Sequence, residues 1–324
     1  MSKLQSVCVV LCCLLLTSFA HAQPVAKIQR IGVIHEGGPY EAVLQGMLAG
    51  LTDAGLVEGK HFLLHVRDTK GSLRDVEGAA KQLISERVDL LFTVTTSVTI
   101  AAKKATRDIP IIFYAGSDPV RFGLVKSYGK PGDRLTGVHQ PSFDLVPKRL
   151  EILKQILPHA RRVISFYNPD NALATKSLAE ARDAAARLGL EIVERPVRSV
   201  EDVVAGVRGL RAGDVDAYFQ VNDATVFSAT PRIVDLARER KLPLMVNDLN
   251  TLQAGVLAAY GVNYFEVGRF AAKHVQRVLS GAKPQDLPVE IYDKVQLGLN
   301  LRVARELGIT VPQPLILRAD HVIR

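Results

Sequence analysis

Residues 86–92 read ERVDLLF, and residues 214–219 read DVDAYF. Each segment joins charged residues to a short apolar run of the kind that forms a buried strand. A second pair recurs at a similar separation, because DIPII at 108–112 is matched by KLPLM at 241–245. This repetition indicates two domains of the same architecture within one chain.

Around these segments, apolar runs alternate with stretches in which apolar residues have helical spacing, as at 41–54, 100–106 and 175–188. Alternation of this kind predicts parallel sheets with helices on both faces. The predicted strands are residues 30–34, 61–66, 88–94 and 109–114 in the first half and residues 162–166, 191–194, 215–221 and 242–246 in the second.

The chain has 324 residues, enough for two domains. Residues 135–138 resemble residues 257–262, and we interpret both as strands that lead from one lobe to the other. The predicted fold class is therefore α/β, with two doubly wound parallel-sheet lobes joined by a multi-strand hinge. Lobe 1 is predicted to comprise residues 27–140 plus about 264–288, and lobe 2 residues 141–263 plus about 289–324.

The first 22 residues have the features of a secretory signal peptide. Lys3 supplies positive charge, residues 7–16 form an apolar run, and residues 20–22 read AHA. An uncleaved anchor is the alternative, but the run is shorter than the about 20 apolar residues that span a bilayer. We predict cleavage after Ala22 and a mature protein in the periplasm.

The positions of the cysteines and the net charge exclude two further classes of protein. Cys8, Cys12 and Cys13 all lie in the predicted signal peptide, so the mature chain would have no disulfide, unlike small secreted scaffolds. The net charge is +8, the basic residues are scattered among acidic ones, and tryptophan is absent. Nucleic-acid surfaces cluster basic residues near aromatic ones. We predict a monomer that binds no nucleic acid.

Polar residues follow the predicted strands in both halves. Ligands of open parallel sheets lie beyond the carboxyl ends of the strands, so these residues should meet in a cleft between the lobes. Thr96 and Ser97 place hydroxyls beside helix N-terminal amides, which suits a carboxylate. Asp223 or Asp248 could bind an ammonium group from the other side.

Aromatic residues in these loops could stack on an apolar part of the ligand, with Tyr40, Tyr114 and Tyr167 as the candidates. Each polar residue also has a structural interpretation, because Ser, Thr, Asp and Asn commonly cap helices or form turns. The pattern as a whole favours a binding site for a small molecule. The predicted ligand-binding residues are Glu36, Tyr40, Thr96, Ser97, Ala115, Gly116, Ser117, Tyr167, Asn168, Asn171, Asn222, Asp223, Asn247 and Asp248.

Catalytic motifs are poorly supported. His61 and His65 are four residues apart, but they lie in a predicted strand, so the helical zinc-binding pattern does not apply. The sequence has no G-x-S-x-G nucleophile elbow, and no G-x-G-x-x-G follows the first strand. His35 and Glu36 could act as an acid–base pair, yet no nucleophile accompanies them. We predict no catalytic residue, no metal ligand and no cofactor.

Several segments together resemble the family of ABC transporter substrate-binding proteins with the type I periplasmic-binding fold. Better-known members of that family bind aromatic amino acids. The resemblance covers almost the whole mature chain. It is carried by IGVI at 31–34, GLVEGK at 55–60, IPIIF at 109–113, SDPV at 117–120, KRLEILK at 148–154, GAKPQDLP at 281–288 and the tail from 300 to 323.

The resemblance implies that the protein carries a solute to a membrane permease driven by a separate ATPase. It also implies that an amino-acid carboxylate is held by Thr96, Ser97 and residues 115–117, and an ammonium group by Asp223. The loops at 222–224 and 247–250 are unusually rich in Asn and Asp. A polyol, a nucleoside or a cationic solute therefore remains an alternative ligand. The alternatives are a sensory binding protein that presents its ligand to a membrane receptor and an exported α/β enzyme.

Overall fold

The computed structural model describes residues 27–140 and 142–324, so the predicted signal peptide lies outside the described residues. These residues form two sheets. The first contains β1 (Gln29–His35), β2 (Phe62–Asp68), β3 (Leu90–Val94), β4 (Ile111–Ala115), β5 (Leu135–His139) and β11 (Glu290–Ile291). The second contains β6 (Arg162–Tyr167), β7 (Glu191–Pro196), β8 (Ala217–Phe219), β9 (Leu244–Asp248), β10 (Ala258–Val262), β12 (Gln296–Asn300) and β13 (His321–Ile323).

The first five strands of each sheet share one topology. The first has the strand order β2-β1-β3-β4-β5-β11, and the second has the order β7-β6-β8-β9-β10-β12-β13. Among the described residues every strand pair is parallel except β10 with β12. The prediction of two doubly wound α/β lobes is confirmed. In each lobe the strand order reverses beside the first strand, where such sheets bind ligands.

Helices cover both faces of each sheet. Strands β3 and β4 are accordingly buried along their whole length, which explains their continuous apolar sequences. Lobe 1 contains α1 (Glu41–Asp53), α2 (Val76–Ser85), α3 (Thr96–Ala105) and α9 (Tyr264–Leu279). Lobe 2 contains α4 (Val146–Ile156), α5 (Ala172–Arg187), α6 (Val200–Arg208), α7 (Ala224–Ser228), α8 (Thr230–Glu239), α10 (Leu301–Glu306) and α11 (Gln313–Arg318).

Local signals set several helix ends. Gly55 follows α1 with a φ of 80°, a left-handed conformation that glycine adopts without steric cost. Helix α3 begins at Thr96, earlier than the predicted 100–106. The reason is the side chain of Thr95, which accepts a hydrogen bond from the Val98 amide at 3.2 Å and so caps the helix.

The chain passes between the lobes three times, after β5, after β10 and after β11. The last passage follows Ile291, because β11 pairs with β5 of the first sheet. It therefore comes slightly later than the boundary near 288 that the sequence suggested. Three connections therefore join the lobes. None of the helices in the described part of the chain is long and apolar enough to cross a membrane.

Helices α1 and α9 pack with their backbones in close contact. A Cβ atom on Gly46 would lie 1.8 Å from the carbonyl oxygen of Phe265, and one on Gly268 would lie 1.9 Å from that of Val43. No side chain can be added at either position without separating the helices. This contact attaches the segment after β10 to lobe 1.

Substitution Gly46→Ala should destabilise the protein by about 3 kcal/mol or more, because the added methyl group overlaps backbone that cannot rotate away. The matched control is Gly78→Ala in α2, where no atom lies within 4 Å of the added Cβ. That change should stabilise the helix by up to about 1 kcal/mol. Thermal unfolding followed by calorimetry measures both, and equal melting temperatures would contradict the described packing.

Candidate functional site

A cleft lies where the carboxyl ends of the strands of the two sheets face each other. It holds about 520 Å³ of unfilled space, a volume that includes open solvent at its mouth. Both lobes contribute to its wall. The lining residues are Tyr40, Thr95, Thr96, Ser97, Tyr114, Gly116, Ser117, Gln140, Ser142, Phe143, Asn171, Leu173, Asn222, Asp223, Ala224, Phe227, Asn247 and Tyr264.

The N-terminus of α3 forms the polar wall on the lobe 1 side. The Thr96 and Ser117 hydroxyls are 2.7 Å apart and hydrogen-bonded to each other. The backbone N–H groups of Thr96 and Ser97 find no acceptor among the described residues. A helix N-terminus with free amides and adjacent hydroxyls attracts an anionic group such as a carboxylate.

Glu36 supports this wall from behind. It is fully buried, and its Oε2 accepts a hydrogen bond from the Thr95 hydroxyl at 3.1 Å. Thr95 has a φ of 90°, a strained value for a residue with a branched side chain. Burial raises the pKa of Glu36 to about 8, so this carboxyl group is largely protonated at neutral pH.

Asp223 is the acidic residue on the lobe 2 side. It is 2% exposed, and its carboxylate accepts hydrogen bonds from the Val226 amide at 3.0 Å and the Asn168 amide at 2.7 Å. Burial raises its pKa, although these hydrogen bonds oppose that shift. No cationic side chain in the described residues forms an ion pair with it. A cationic ligand group would complete its surroundings.

Four aromatic side chains from both lobes form a cluster in the cleft. Tyr40 and Phe227 have ring centroids 4.5 Å apart, and Tyr264 lies 5.3 Å from Phe227 and 5.8 Å from Tyr114. Such rings present edges and faces on which another aromatic group can pack. The cleft therefore combines the anion-binding N-terminus of α3, the carboxyl group of Asp223 and an aromatic surface.

An amide pair occupies the lobe 2 wall. The Nδ2 of Asn247 donates to the Oδ1 of Asn222 at 3.1 Å, and that oxygen also accepts from the guanidinium of Arg149 at 3.2 Å. Arg149 is fully buried, lies over the ring of Phe219, and does not line the cleft. Burial lowers the pKa of Arg149 to about 10, which still leaves it charged at neutral pH.

The lobes are closed on each other. The Thr225 hydroxyl of lobe 2 donates to the Gly71 carbonyl of lobe 1 at 2.9 Å, and the Ser228 hydroxyl donates to the Glu36 carbonyl. The Ser97 hydroxyl reaches across to the Oδ1 of Asn171 at 3.4 Å. The short helix α7 thus fits against two loops of the opposite lobe.

The structure brings together nine of the predicted site residues and leaves five behind the cleft wall. Asn168 and Asp248 turn inward as capping groups, since the amides of Asp170 and Asn250 donate to their side chains. Ala115 ends β4, Tyr167 ends β6, and Glu36 lies beneath Thr95. The nine that line the cleft are Tyr40, Thr96, Ser97, Gly116, Ser117, Asn171, Asn222, Asp223 and Asn247.

Other lining residues were missed from the sequence. Tyr264 and Phe227 lie on helices α9 and α7, which the search for strand ends did not cover. Gln140, Ser142 and Phe143 lie in the first crossing between the lobes. Gln140 directly follows β5, which ends at His139, one residue later than the predicted crossing strand at 135–138.

Comparisons with known proteins agree with this architecture. A family model described as ABC transporter substrate binding protein matches residues 28–323. A tyrosine-binding protein from Clostridioides difficile (strain R20291) is 28% identical over 276 residues, covering 85% of this chain and 79% of that protein.

Two solved structures are also similar. The ABC domain in complex with L-Trp from Streptococcus pneumonia aligns with a TM-score of 0.80 at 26% identity, covering 92% of this chain and 100% of that one. The ligand-free, open structure of a substrate-binding protein with adhesive properties from Clostridium difficile aligns with a TM-score of 0.59 at 26% identity, covering 91% and 99%. This chain superposes more closely on the L-Trp complex than on that open structure.

The raised pKa of Glu36 predicts a pH dependence of stability. Between about pH 4.5 and about 8 the folded protein keeps a proton on Glu36 that the unfolded chain loses, so stability falls as the pH rises through this window. Substitution Glu36→Gln should reduce this decline while retaining an acceptor for Thr95. Melting temperatures from pH 5 to 8 measure the effect, with the exposed Glu58→Gln as control. Parallel curves for Glu36→Gln and wild type would contradict it.

Proposed function

Because the chain belongs to the family of ABC transporter substrate-binding proteins and has the type I periplasmic-binding fold, we propose that it captures an aromatic α-amino acid for import. In this proposal the mature protein acts in the periplasm as a monomer, since one chain supplies both walls of the cleft. It delivers the solute to an ABC permease in the inner membrane and catalyses no reaction.

One observation carries the proposal. The cleft has the free amides of α3 on one side and the buried Asp223, which has no cationic partner in the described residues, on the other, with an aromatic cluster beside them. An α-amino acid at neutral pH has a carboxylate for the first, an ammonium group for the second and a side chain for the third. The hydroxyls of Thr96 and Ser117 would share the carboxylate with the helix amides.

The relatives support an aromatic side chain on the ligand. One related protein is named for tyrosine binding, and one related structure contains L-Trp. In this chain Tyr40, Phe227 and Tyr264 supply rings at packing distance from one another. A ring inserted beside them gains apolar burial and edge-to-face contacts.

We further propose that binding and closure are coupled. A ligand held by Thr96 on lobe 1 and Asp223 on lobe 2 stabilises the closed arrangement, because only that arrangement allows both contacts. The hinge of three connections lets the lobes rotate while each sheet stays intact. Contacts of α7 with Gly71 and Glu36 would form at the end of this motion.

Substitution Asp223→Asn should weaken binding of L-tyrosine or L-tryptophan by at least about tenfold, because the ammonium group loses its charged partner. Isothermal titration calorimetry measures the change, and Asp183→Asn on the exposed face of α5 is the matched control. The analogue 3-(4-hydroxyphenyl)propanoate, which lacks the amino group, should bind weakly to wild type and lose little more on Asp223→Asn. An equal loss for both ligands would show that Asp223 does not pair with the ammonium group.

Substitution Gly38→Ala should obstruct closure. Gly38 has a φ of 57°, and an added Cβ would lie 2.9 Å from the Cα of Ser228 on the opposite lobe. We expect L-tyrosine affinity to fall by about tenfold, since the overlap exists only when the lobes are closed. Gly59→Ala shares the positive φ but has no atom within 4 Å of the new Cβ, so it should bind normally. Small-angle scattering with and without ligand would detect a failure to compact, and normal compaction of Gly38→Ala would refute the coupling.

A further inference from the structure

The amide pair on the lobe 2 wall has an orientation that its surroundings dictate. Asn222 lies in the loop after β8, and Asn247 is the second-last residue of the adjacent strand β9; both line the cleft. Beneath them lies Arg149 of α4, whose contact with Asn222 is its one side-chain hydrogen bond within the described residues. This guanidinium is completely buried, on the same helix as the buried Leu150 and Leu153.

A guanidinium group has donors only. The atom of Asn222 that faces Arg149 must therefore be its oxygen, which turns the Asn222 Nδ2 away from Arg149. The atom of Asn247 that meets the same oxygen at 3.1 Å must be its nitrogen, which leaves the Asn247 Oδ1 on the other side. The buried guanidinium thus orients the side-chain amide of Asn222, and Asn222 in turn orients that of Asn247.

The two atoms left over are a donor and an acceptor. Asn222 Nδ2 and Asn247 Oδ1 are both buried, and neither has a hydrogen-bond partner within the described residues. Leaving such buried groups without a hydrogen-bond partner is unfavourable. A ligand that supplies one acceptor and one donor at this place would satisfy both.

We infer that Arg149 is a positioning residue for specificity: it sets Asn222 Nδ2 and Asn247 Oδ1 as a donor–acceptor pair that recognises a hydroxyl group on the ligand side chain. The inference rests on the proposed function, in which the α3 amides and Asp223 already serve the carboxylate and the ammonium group. A phenol both accepts and donates a hydrogen bond, and it ends an aromatic ring of the kind the cluster accommodates. The preferred solute is accordingly a 4-hydroxyphenyl amino acid, with L-tyrosine as the probe.

The first test compares L-tyrosine with L-phenylalanine by isothermal titration calorimetry. Wild type should bind L-tyrosine at least about tenfold more tightly, since a site built around a hydroxyl leaves its own polar groups unpaired when the hydroxyl is missing. The near-isosteric Asn247→Leu should bring the two affinities within about threefold of each other by weakening L-tyrosine alone. Tyr114 carries another unpartnered hydroxyl in the cleft, so Tyr114→Phe should keep the preference.

The second test replaces Arg149 with residues that differ in their ability to donate and accept hydrogen bonds. Arg149→Lys also presents donors only and should keep the preference for L-tyrosine. Arg149→Gln can donate or accept, which frees the amides to reverse, and Arg149→Met removes the contact. Both should reduce the tyrosine-to-phenylalanine ratio while retaining L-phenylalanine binding, a result that loss of folding alone would not produce. Melting temperatures of all three variants check that they fold.

The outcomes separate this inference from the proposed function. If L-tyrosine, L-tryptophan and L-phenylalanine all fail to bind wild type, the proposed function is wrong. If they bind but wild type does not distinguish L-tyrosine from L-phenylalanine, the inference alone is overturned. An equal loss of both ligands on Asn247→Leu would assign the amides to the amino-acid head group instead, and a preference that disappears in Tyr114→Phe would assign the hydroxyl contact to Tyr114.

Discussion

Three carboxyl groups are buried near the cleft with no cationic partner in the described part of the chain. Glu36 and Asp248 are fully buried and Asp223 is 2% exposed, and burial raises the pKa of all three. Glu36 and Asp248 tolerate this because a protonated carboxyl group is cheaper to bury than a charged one. Asp223 differs in lining the cleft. A cationic ligand group at Asp223 would offset the unfavourable burial, and the closed state would then gain stability only when the cleft is filled.

In the proposed closure, the backbone contact between α1 and α9 would keep lobe 1 rigid. Gly46 and Gly268 allow the two helices to approach until main-chain atoms touch, so the segment that returns from lobe 2 becomes part of lobe 1. Tyr264 lies at the start of α9, directly after this return. The same packing that ties the chain to lobe 1 therefore places an aromatic ring at the cleft, and the three crossings permit bending between lobes without loosening either one.

Buried ionisable residues behind the cleft wall also orient the polar groups that line it. Arg149 never reaches the cleft wall, yet its lack of any acceptor determines which atoms of Asn222 and Asn247 are left to bind. Glu36 acts similarly on the other lobe, where it holds the strained Thr95 that begins α3. Each wall thus consists of a layer of contacting groups and a buried charged or ionisable residue that orients them. Such support restricts the positions of polar groups before a ligand arrives, which lowers the entropy cost of binding.

The sequence by itself determined the two α/β lobes and the loops that form the cleft, because buried parallel strands require continuous apolar runs and place the residues that follow them at one edge. This reasoning predicted Ser97, Asn222 and Asp223, all of which line the cleft. Only the tertiary structure decided which strand-end residues line the cleft and which turn inward as caps, as Asp248 does. It alone brought Arg149 beneath Asn222, since the packing of α4 against the second sheet depends on side-chain contacts between segments far apart in the chain and leaves no local pattern.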